Sequence, residues 1–192
     1  MRKLKIMEHV SLDGVIQAPG SREEDPGGGF EYGGWSATID DPVVDEAVMS
    51  VHDKELDLLL GRRVYDIWSN YWPESEHPIG VGINNATKHV VTNRPESLDW
   101  GPAKSISGDI VAGIRAIKTR NGPDIITWGS STLTPVLIEN ELADEIILIT
   151  YPVLIGSGKR FFEDANPREL SLVSSKAGAA GVVVNTYKPC RR

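Results

Sequence analysis

Three short segments of this chain combine a preceding apolar run with groups that attract anions: Gly61-Arg62-Arg63, Thr92-Asn93-Arg94 and Gly129-Ser130-Ser131-Thr132-Leu133. The last follows Asp124-Ile125-Ile126-Thr127-Trp128, which reads as a buried strand, and leads into the first turn of a helix. A helix start offers free backbone N–H groups and the positive end of a dipole, both of which favour phosphate. Gly129 lets the backbone approach a ligand, and three hydroxyl residues follow it. Residues 61–63 also sit between a strand and a helix. Two arginines in a first helical turn oppose the dipole, which prefers acids there. An anionic ligand accounts for them, because guanidinium grips phosphate through paired hydrogen bonds. Thr92 and Arg94 end a third strand and suit a further phosphate, such as the 2′-phosphate that distinguishes NADP from NAD. Ligands of open α/β sheets gather beyond the carboxyl ends of the strands. In a parallel sheet all three segments would share one rim and suit a dinucleotide. The plain alternatives are solvated arginines, turn chemistry leading into Pro95, and a strand-turn-helix junction that binds nothing.

Other residues suit the second partner of a reaction. Asp13 leaves the first strand and Asp45 lies one turn into the first helix; either suits proton transfer or substrate orientation. Thr150, at the end of a strand, suits a hydrogen bond to substrate. Trp68 and Trp72 lie around the second helix and Trp35 ends a glycine-rich loop, so these rings are candidates for an aromatic wall against a flat substrate. Turn formation, solvation and core packing are their ordinary alternatives. Familiar motifs fail on inspection. Gly156-Ser157-Gly158-Lys159 resembles a P-loop, but Val153 stands where glycine is required and Arg160 where Ser or Thr would hold magnesium. No G-x-G-x-x-G follows the first strand, no G-x-S-x-G is present, and His9, His52, His77 and His89 lack metal-ligand spacing.

The elements that must position these groups follow from hydrophobic periodicity. Strands are expected over residues 4–10, 56–60, 88–92, 124–128 and 144–150. Helices are expected after Asp41-Pro42, a cap followed by a first-turn proline, then from Gly61, over 109–120, and after Gly129. The face of the second helix carries Val64, Ile67 and Trp68, and residues 72–82 read as a loop. Residues 170–176 and 181–187 read as a closing antiparallel pair. Alternating strands and helices that end in strands imply an α/β protein, a three-layer α/β/α arrangement around a mostly parallel sheet with an antiparallel C-terminal strand. At 192 residues with no low-complexity linker, one domain over 1–192 is expected. A net charge of −7 argues against a nucleic-acid partner, whose affinity would rest on Lys and Arg. A lone cysteine, Cys190, with no signal-peptide core and no membrane-length apolar run, points to a cytoplasmic protein.

Taken together the chain resembles the dihydrofolate reductase-like superfamily, and within it the RibD C-terminal (riboflavin-biosynthesis reductase) family. The resemblance is carried by Ser11-Leu12-Asp13-Gly14-Val15-Ile16-Gln17, Gly28-Gly29-Phe30-Glu31-Tyr32-Gly33-Gly34-Trp35, Leu58-Leu59-Leu60-Gly61-Arg62-Arg63-Val64-Tyr65, Tyr71-Trp72-Pro73, Trp128-Gly129-Ser130-Ser131-Thr132-Leu133, and Pro152 through Phe162. It implies a dihydrofolate reductase-like fold that binds NADPH. The Gly61 and Gly129 helix starts would meet the cofactor's phosphates, and Thr92-Asn93-Arg94 its adenosine end. Val15, Ile16, Gln17 and Ala18 would lie near the nicotinamide, with Gly156 on the substrate side and the loop after Ala18 covering the site. A homodimer is also implied. No deaminase zinc motif accompanies these segments, so only the reductase half is represented. The expected activity is NADPH-dependent hydride transfer to an imine or carbonyl of a small polar heterocycle, pterin-like or related to riboflavin precursors. The alternative is a nucleotide-binding or sensing module without turnover, or one that takes a flavin instead.

Overall fold

Alternation along the central strands divides the molecule into two cores. In the computed structural model, which describes residues 1–162 and 166–190, β1 (Leu4–Ser11) sends Leu4, Ile6 and Val10 to one face of the sheet and Met7 to the other. The same parity governs β2 (Leu56–Gly61), β5 (Asp124–Trp128) and β6 (Glu145–Tyr151), because successive side chains of a strand point to opposite faces.

On the Met7 face lie α1 (Pro42–His52), α2 (Arg62–Tyr71) and α3 (Gly80–Asn85), contributing Val43, Val48, Val51, Tyr65 and Ile83. On the other lie α4 (Ile110–Thr119) and α5 (Leu133–Glu139), contributing Ile114, Ile117, Leu133 and Leu137. With β3 (Lys88–Val91), β4 (Ala103–Ile106), β7 (Leu170–Ala177) and β8 (Val183–Pro189) the sheet has eight strands in the order β4-β3-β2-β5-β1-β6-β8-β7. Among the described strands β8 alone runs opposite to the others, pairing antiparallel with both β6 and β7. The expected α/β/α sandwich with an antiparallel C-terminal strand is therefore what forms.

The helix boundaries have local causes. Asp41 caps α1 by accepting the Val43 amide at 3.2 Å, and its second oxygen accepts the Ala180 amide at 2.7 Å, which ties the β7–β8 turn to the helix start. Asp109 caps α4 through the Ala112 amide at 2.9 Å.

Two expectations are corrected. Residues 72–82 are not all loop: a 3₁₀ turn covers Trp72–Glu74 and α3 begins at Gly80. Strand β4 has no counterpart among the expected strands, because only Ile106 of its four residues is buried and so no apolar run marks it. On α2 Val64 and Trp68 pack half-buried against the core, and Tyr65 is the fully buried residue beside them. The Tyr65 hydroxyl donates to the Trp100 carbonyl at 3.1 Å and accepts its amide at 2.7 Å, so the polar tip of this buried ring is satisfied.

Candidate functional site

The strands β1, β2, β3, β5 and β6 are mutually parallel, so their carboxyl ends form one rim. β2 lies between β3 and β5, which makes the three anion-friendly corners neighbours. A Cβ on Gly61 would lie 2.5 Å from Ser130 Oγ, so the first and third corners touch. Arg62 joins the first to the second: its Nη1 donates to the Arg94 carbonyl at 3.0 Å and to Ser97 Oγ at 2.8 Å. At the third corner Gly129 (φ 61°) and Ser130 (φ 70°) are both left-handed. For a serine that conformation is uncommon and costs backbone strain, a feature that clusters at ligand clamps. The helix that follows is short, and Thr132 at its cap makes no side-chain capping bond.

The arginines have separate fates. Arg62 is committed: besides the bonds above, its Nε meets Asp66 Oδ1 at 2.7 Å. It holds two corners together rather than offering its guanidinium outward. Arg63 is bound to Asp25, yet its side chain is 57% exposed. Arg94 is 63% exposed and reaches Asp66 only at 3.7 Å, so it is the least engaged of the three. Thr92 is buried, its hydroxyl accepting the Arg94 amide at 3.0 Å, and Asn93 is exposed beside it.

Val15, Ile16, Gln17 and Ala18 are all buried along the inner side of the covering loop. Ala18 adopts φ 47°, a second left-handed non-glycine residue in a segment expected to meet the cofactor. Gln17 differs from expectation. Its amide nitrogen donates to the carbonyls of Asp25 (2.9 Å) and Gly27 (2.8 Å), and its oxygen accepts the Lys159 amide at 3.1 Å. All its side-chain polar capacity goes to strapping the loop down. Asp25 completes the strap by pairing with Arg63 and, at 2.5 Å, with Lys159 Nζ. Burial pushes the Asp25 pKa up, but the Lys159 bond, the Gly27 amide and the two cations outweigh it, so the group lies below its ordinary range.

Asp13 is likewise a clamp. It accepts Ser11 Oγ at 2.6 Å, the Ile155 amide at 3.1 Å and the Gly156 amide at 2.7 Å. The Ser11 hydroxyl foremost, then those amides, hold its pKa at about 2. Such a carboxylate carries no proton to donate near neutrality, and the Gly156 amide it consumes is not free for a substrate. Asp45 is exposed in the first turn of α1, close enough to raise the pKa of Tyr151. Thr150 falls on the sheet face of Ile146 and Leu148, whereas Trp35, Trp128 and Tyr151 occupy the other. Trp35 is buried, donates its indole N–H to the Gln17 carbonyl at 2.8 Å and meets the Tyr151 ring edge-on at 5.6 Å. Trp68 and Trp72 pack on each other at 5.5 Å at the end of α2, where Trp72 also meets Tyr71 at 5.0 Å.

The structure adds polar groups that the sequence reading passed over. Glu8, 2% exposed, takes a hydrogen bond from the Gly129 amide, and burial pushes its pKa well above the ordinary carboxylate range. On the opposite face His9, His52 and Tyr151 surround Trp128. Among the described residues, Glu8 Oε2, Thr127 Oγ1, Trp128 Nε1 and both ring nitrogens of His52 are buried without a protein partner. Buried polar atoms are normally paired; these, with Trp72 Nε1, lie on both faces of the sheet near β1 and β5 and at the ends of α1 and α2. The available signal was an acid and a histidine inside an otherwise apolar strand, Ile6-Met7-Glu8-His9-Val10.

The family model of the RibD C-terminal domain matches residues 2–184. The uncharacterized protein YyaP of Bacillus subtilis (strain 168) is 29% identical over 136 residues, covering 68% of this chain and 72% of YyaP. A candidate riboflavin biosynthesis protein from Shewanella sp. PV-4 superposes with a TM-score of 0.72 at 18% identity, over 98% of this chain and 99% of that one. Dihydrofolate reductase from Enterococcus faecalis, complexed with NADP(H), superposes with a TM-score of 0.66 at 15% identity, over 98% of this chain and 97% of that one. At those identities the two structures establish a shared dihydrofolate reductase-like fold.

Proposed function

The chain belongs to the RibD C-terminal domain family, and from that premise we propose that it is an NADPH-dependent reductase of a small polar heterocycle carrying an imine or carbonyl. The observation that carries this reading is the contiguity of the three corners after β2, β3 and β5 on one sheet rim. A pyridine dinucleotide fits them chemically. Arg63 and Arg94 bring exposed cations, residues 129–132 bring a strained turn with hydroxyls, and Gly61 lets the Ser130 side chain pack against the first corner. When bound, the reduced nicotinamide supplies a hydride.

The protein's own part is binding, orientation and exclusion of water. Arg63 and residues 130–133 would hold the phosphates, with Arg94 and Thr92 at the 2′-phosphate. Arg62 keeps the first two corners in register. Gln17 and Asp25 hold the covering loop over residues 15–18, which shields the reacting end from solvent. Trp35, which meets the Tyr151 ring edge-on, would give the substrate half an aromatic wall. Dimerisation belongs to the same proposal, as does the absence of a metal. Among the described residues no group of His, Cys, Asp and Glu has a metal-holding arrangement, and no helix is long and apolar enough to cross a membrane.

Calorimetry with NADPH and NADH, followed by NADPH oxidation with pterin, pyrimidine and cyclic imine substrates, tests the proposal. Micromolar NADPH binding with turnover of at least one compound is expected. Binding without turnover would favour a sensing module, and no binding of either coenzyme would overturn the assignment.

A further inference from the structure

The reductase reading leaves the substrate's proton without a source, since Asp13 is a bound anion and Thr150 faces away. The α1 side of the sheet carries groups that this reading does not use. His9, near the end of β1, and Tyr151, the last residue of β6, reach across adjacent strands so that His9 Nδ1 and the Tyr151 hydroxyl lie 2.9 Å apart. Trp128, which precedes the Gly129 corner, is sandwiched between His9 (centroids 5.4 Å apart, planes at 26°) and His52 (5.9 Å, 28°). The covering loop brings Ser36 close enough for its hydroxyl to oppose the upward shift of the Tyr151 pKa, and Ser36 donates to the Pro19 carbonyl at 2.7 Å. The phenol therefore sits at the end of β6, under Trp35 of the covering loop and beside His9, which stacks on the residue that leads into the Gly129 corner.

We propose that Tyr151 donates the proton to the substrate's heteroatom and that His9 is the residue that positions the phenol and holds the phenolate it leaves. The assignment rests on the reductase reading and deepens it. In the step, the substrate carbon gains a hydride, with its two electrons, from reduced nicotinamide. The π pair of the C=N or C=O bond moves to the nitrogen or oxygen, which takes the Tyr151 proton. The Tyr151 O–H bond breaks and a new N–H or O–H bond forms. The phenolate accepts a hydrogen bond from His9 Nδ1–H, and solvent restores its proton through Ser36.

The surroundings keep the pair neutral and loaded. Burial lowers the His9 pKa to about 4 and raises that of Tyr151 to about 12, the Ser36 hydroxyl opposing the second shift and Asp45 and Asp41 adding to it. The titratable groups that face the pair from packed elements are Asp41, Asp45 and His52 of α1, with His77 beyond His52. Asp41 is engaged by two amides, and burial holds His52 neutral at a pKa of about 4. The hydride step is accordingly flat with pH between about 5 and 10, with no limb near the ordinary histidine value of about 6.5.

Single-turnover stopped flow with NADPH and 7,8-dihydropterin, 5-amino-6-(ribosylamino)uracil or 1-pyrroline tests this, using Tyr151→Phe and His9→Phe. Both variants keep their rings in place. Tyr151→Phe should slow the hydride step about 100-fold, the usual size of general-acid catalysis, abolish its solvent isotope effect and leave NADPH affinity unchanged. His9→Phe should slow it about tenfold and shift the ultraviolet titration of the Tyr151 phenolate, a readout that needs no substrate. Turnover that survives Tyr151→Phe within about threefold, or a phenolate titration untouched by His9→Phe, overturns the proton assignment alone. No turnover of any probe by the wild type overturns the reductase reading beneath it.

Discussion

Replacing Asp13 by asparagine tests whether the β1 exit is held by an ionised clamp. The carboxylate gathers one hydroxyl and two amide donors within 3.1 Å, with Arg160 Nη1 at 3.7 Å. Its pKa falls from 3.8 to about 2, owed first to Ser11 and then to the two amides, against a smaller burial effect. At about 1.4 kcal/mol per pH unit this would be worth at most about 2.5 kcal/mol. The side chain is 20% exposed at the rim, and solvent screening brings the charge contribution to about 1–1.5 kcal/mol. Asparagine also turns an N–H toward one of the amides that the carboxylate accepted, which brings the total to about 2 kcal/mol. The sign follows from the depressed pKa: the stabilisation is full above the unfolded value of about 4 and is lost as pH falls through about 2. Urea unfolding of both proteins at several pH values checks it. The wild type should lead by about 2 kcal/mol at pH 7, and the gap should close progressively below about pH 4. A gap under about 0.5 kcal/mol at pH 7, or one that does not change with pH, would refute the clamp.

Four further outcomes are expected. Arg62→Ala should lower the melting temperature, because it severs the bonds to Asp66, Arg94 and Ser97. Arg63→Ala and Arg94→Ala should leave melting nearly unchanged but weaken NADPH binding about 10- to 100-fold by calorimetry, with Arg94→Ala alone narrowing the preference over NADH. Glu8→Ala should cost about 1 kcal/mol in urea unfolding by removing the partner of the half-buried Gly129 amide. Glu8→Gln should be tolerated, and should gain on the wild type as pH rises: a carboxyl with a raised folded pKa stabilises fully below its unfolded value of 4.5 and loses that contribution at higher pH. Asp41→Ala should cost about 1–2 kcal/mol by thermal unfolding, since it removes the α1 cap and the tie to Ala180 together.

Legibility of the fold followed burial. The strands of the central sheet are buried on both sides, so 56–60, 124–128 and 144–150 showed as apolar runs and were placed to within a residue or two. The Asp41-Pro42 start of α1 was legible because its chemistry is local. Strand β4 is an edge strand with one buried residue, and α3 is six residues long with glycine at its first and third positions, so neither left a periodic signal. Tyr65 was hidden for another reason: its burial depends on two bonds to Trp100, a partner 35 residues away.

The site was legible as corners and illegible as side-chain commitments. Residue types placed Gly61, Thr92 and Gly129 at strand ends, and the parallel register of β2 with β3 and β5 brings those corners together. Residue types could not show that Arg62, Gln17 and Asp13 spend their polar groups on the protein itself, because beside local partners each also takes one from a segment distant in sequence. The Thr150 reading shows how small such a gap is. A strand reverses its facing at every residue, so a one-position difference in reading the end of β6 exchanges a hydroxyl on the α4–α5 side for a phenol on the α1 side. The pairing of Val10 with Thr150 and Ser11 with Tyr151 decides between them. His9 then lies two residues before Ser11 on the same face, close enough for its ring to reach the phenol. Which side chain the end of β6 turns toward the α1 side is thus fixed by strand register, a property of pairs of segments that neither segment states alone.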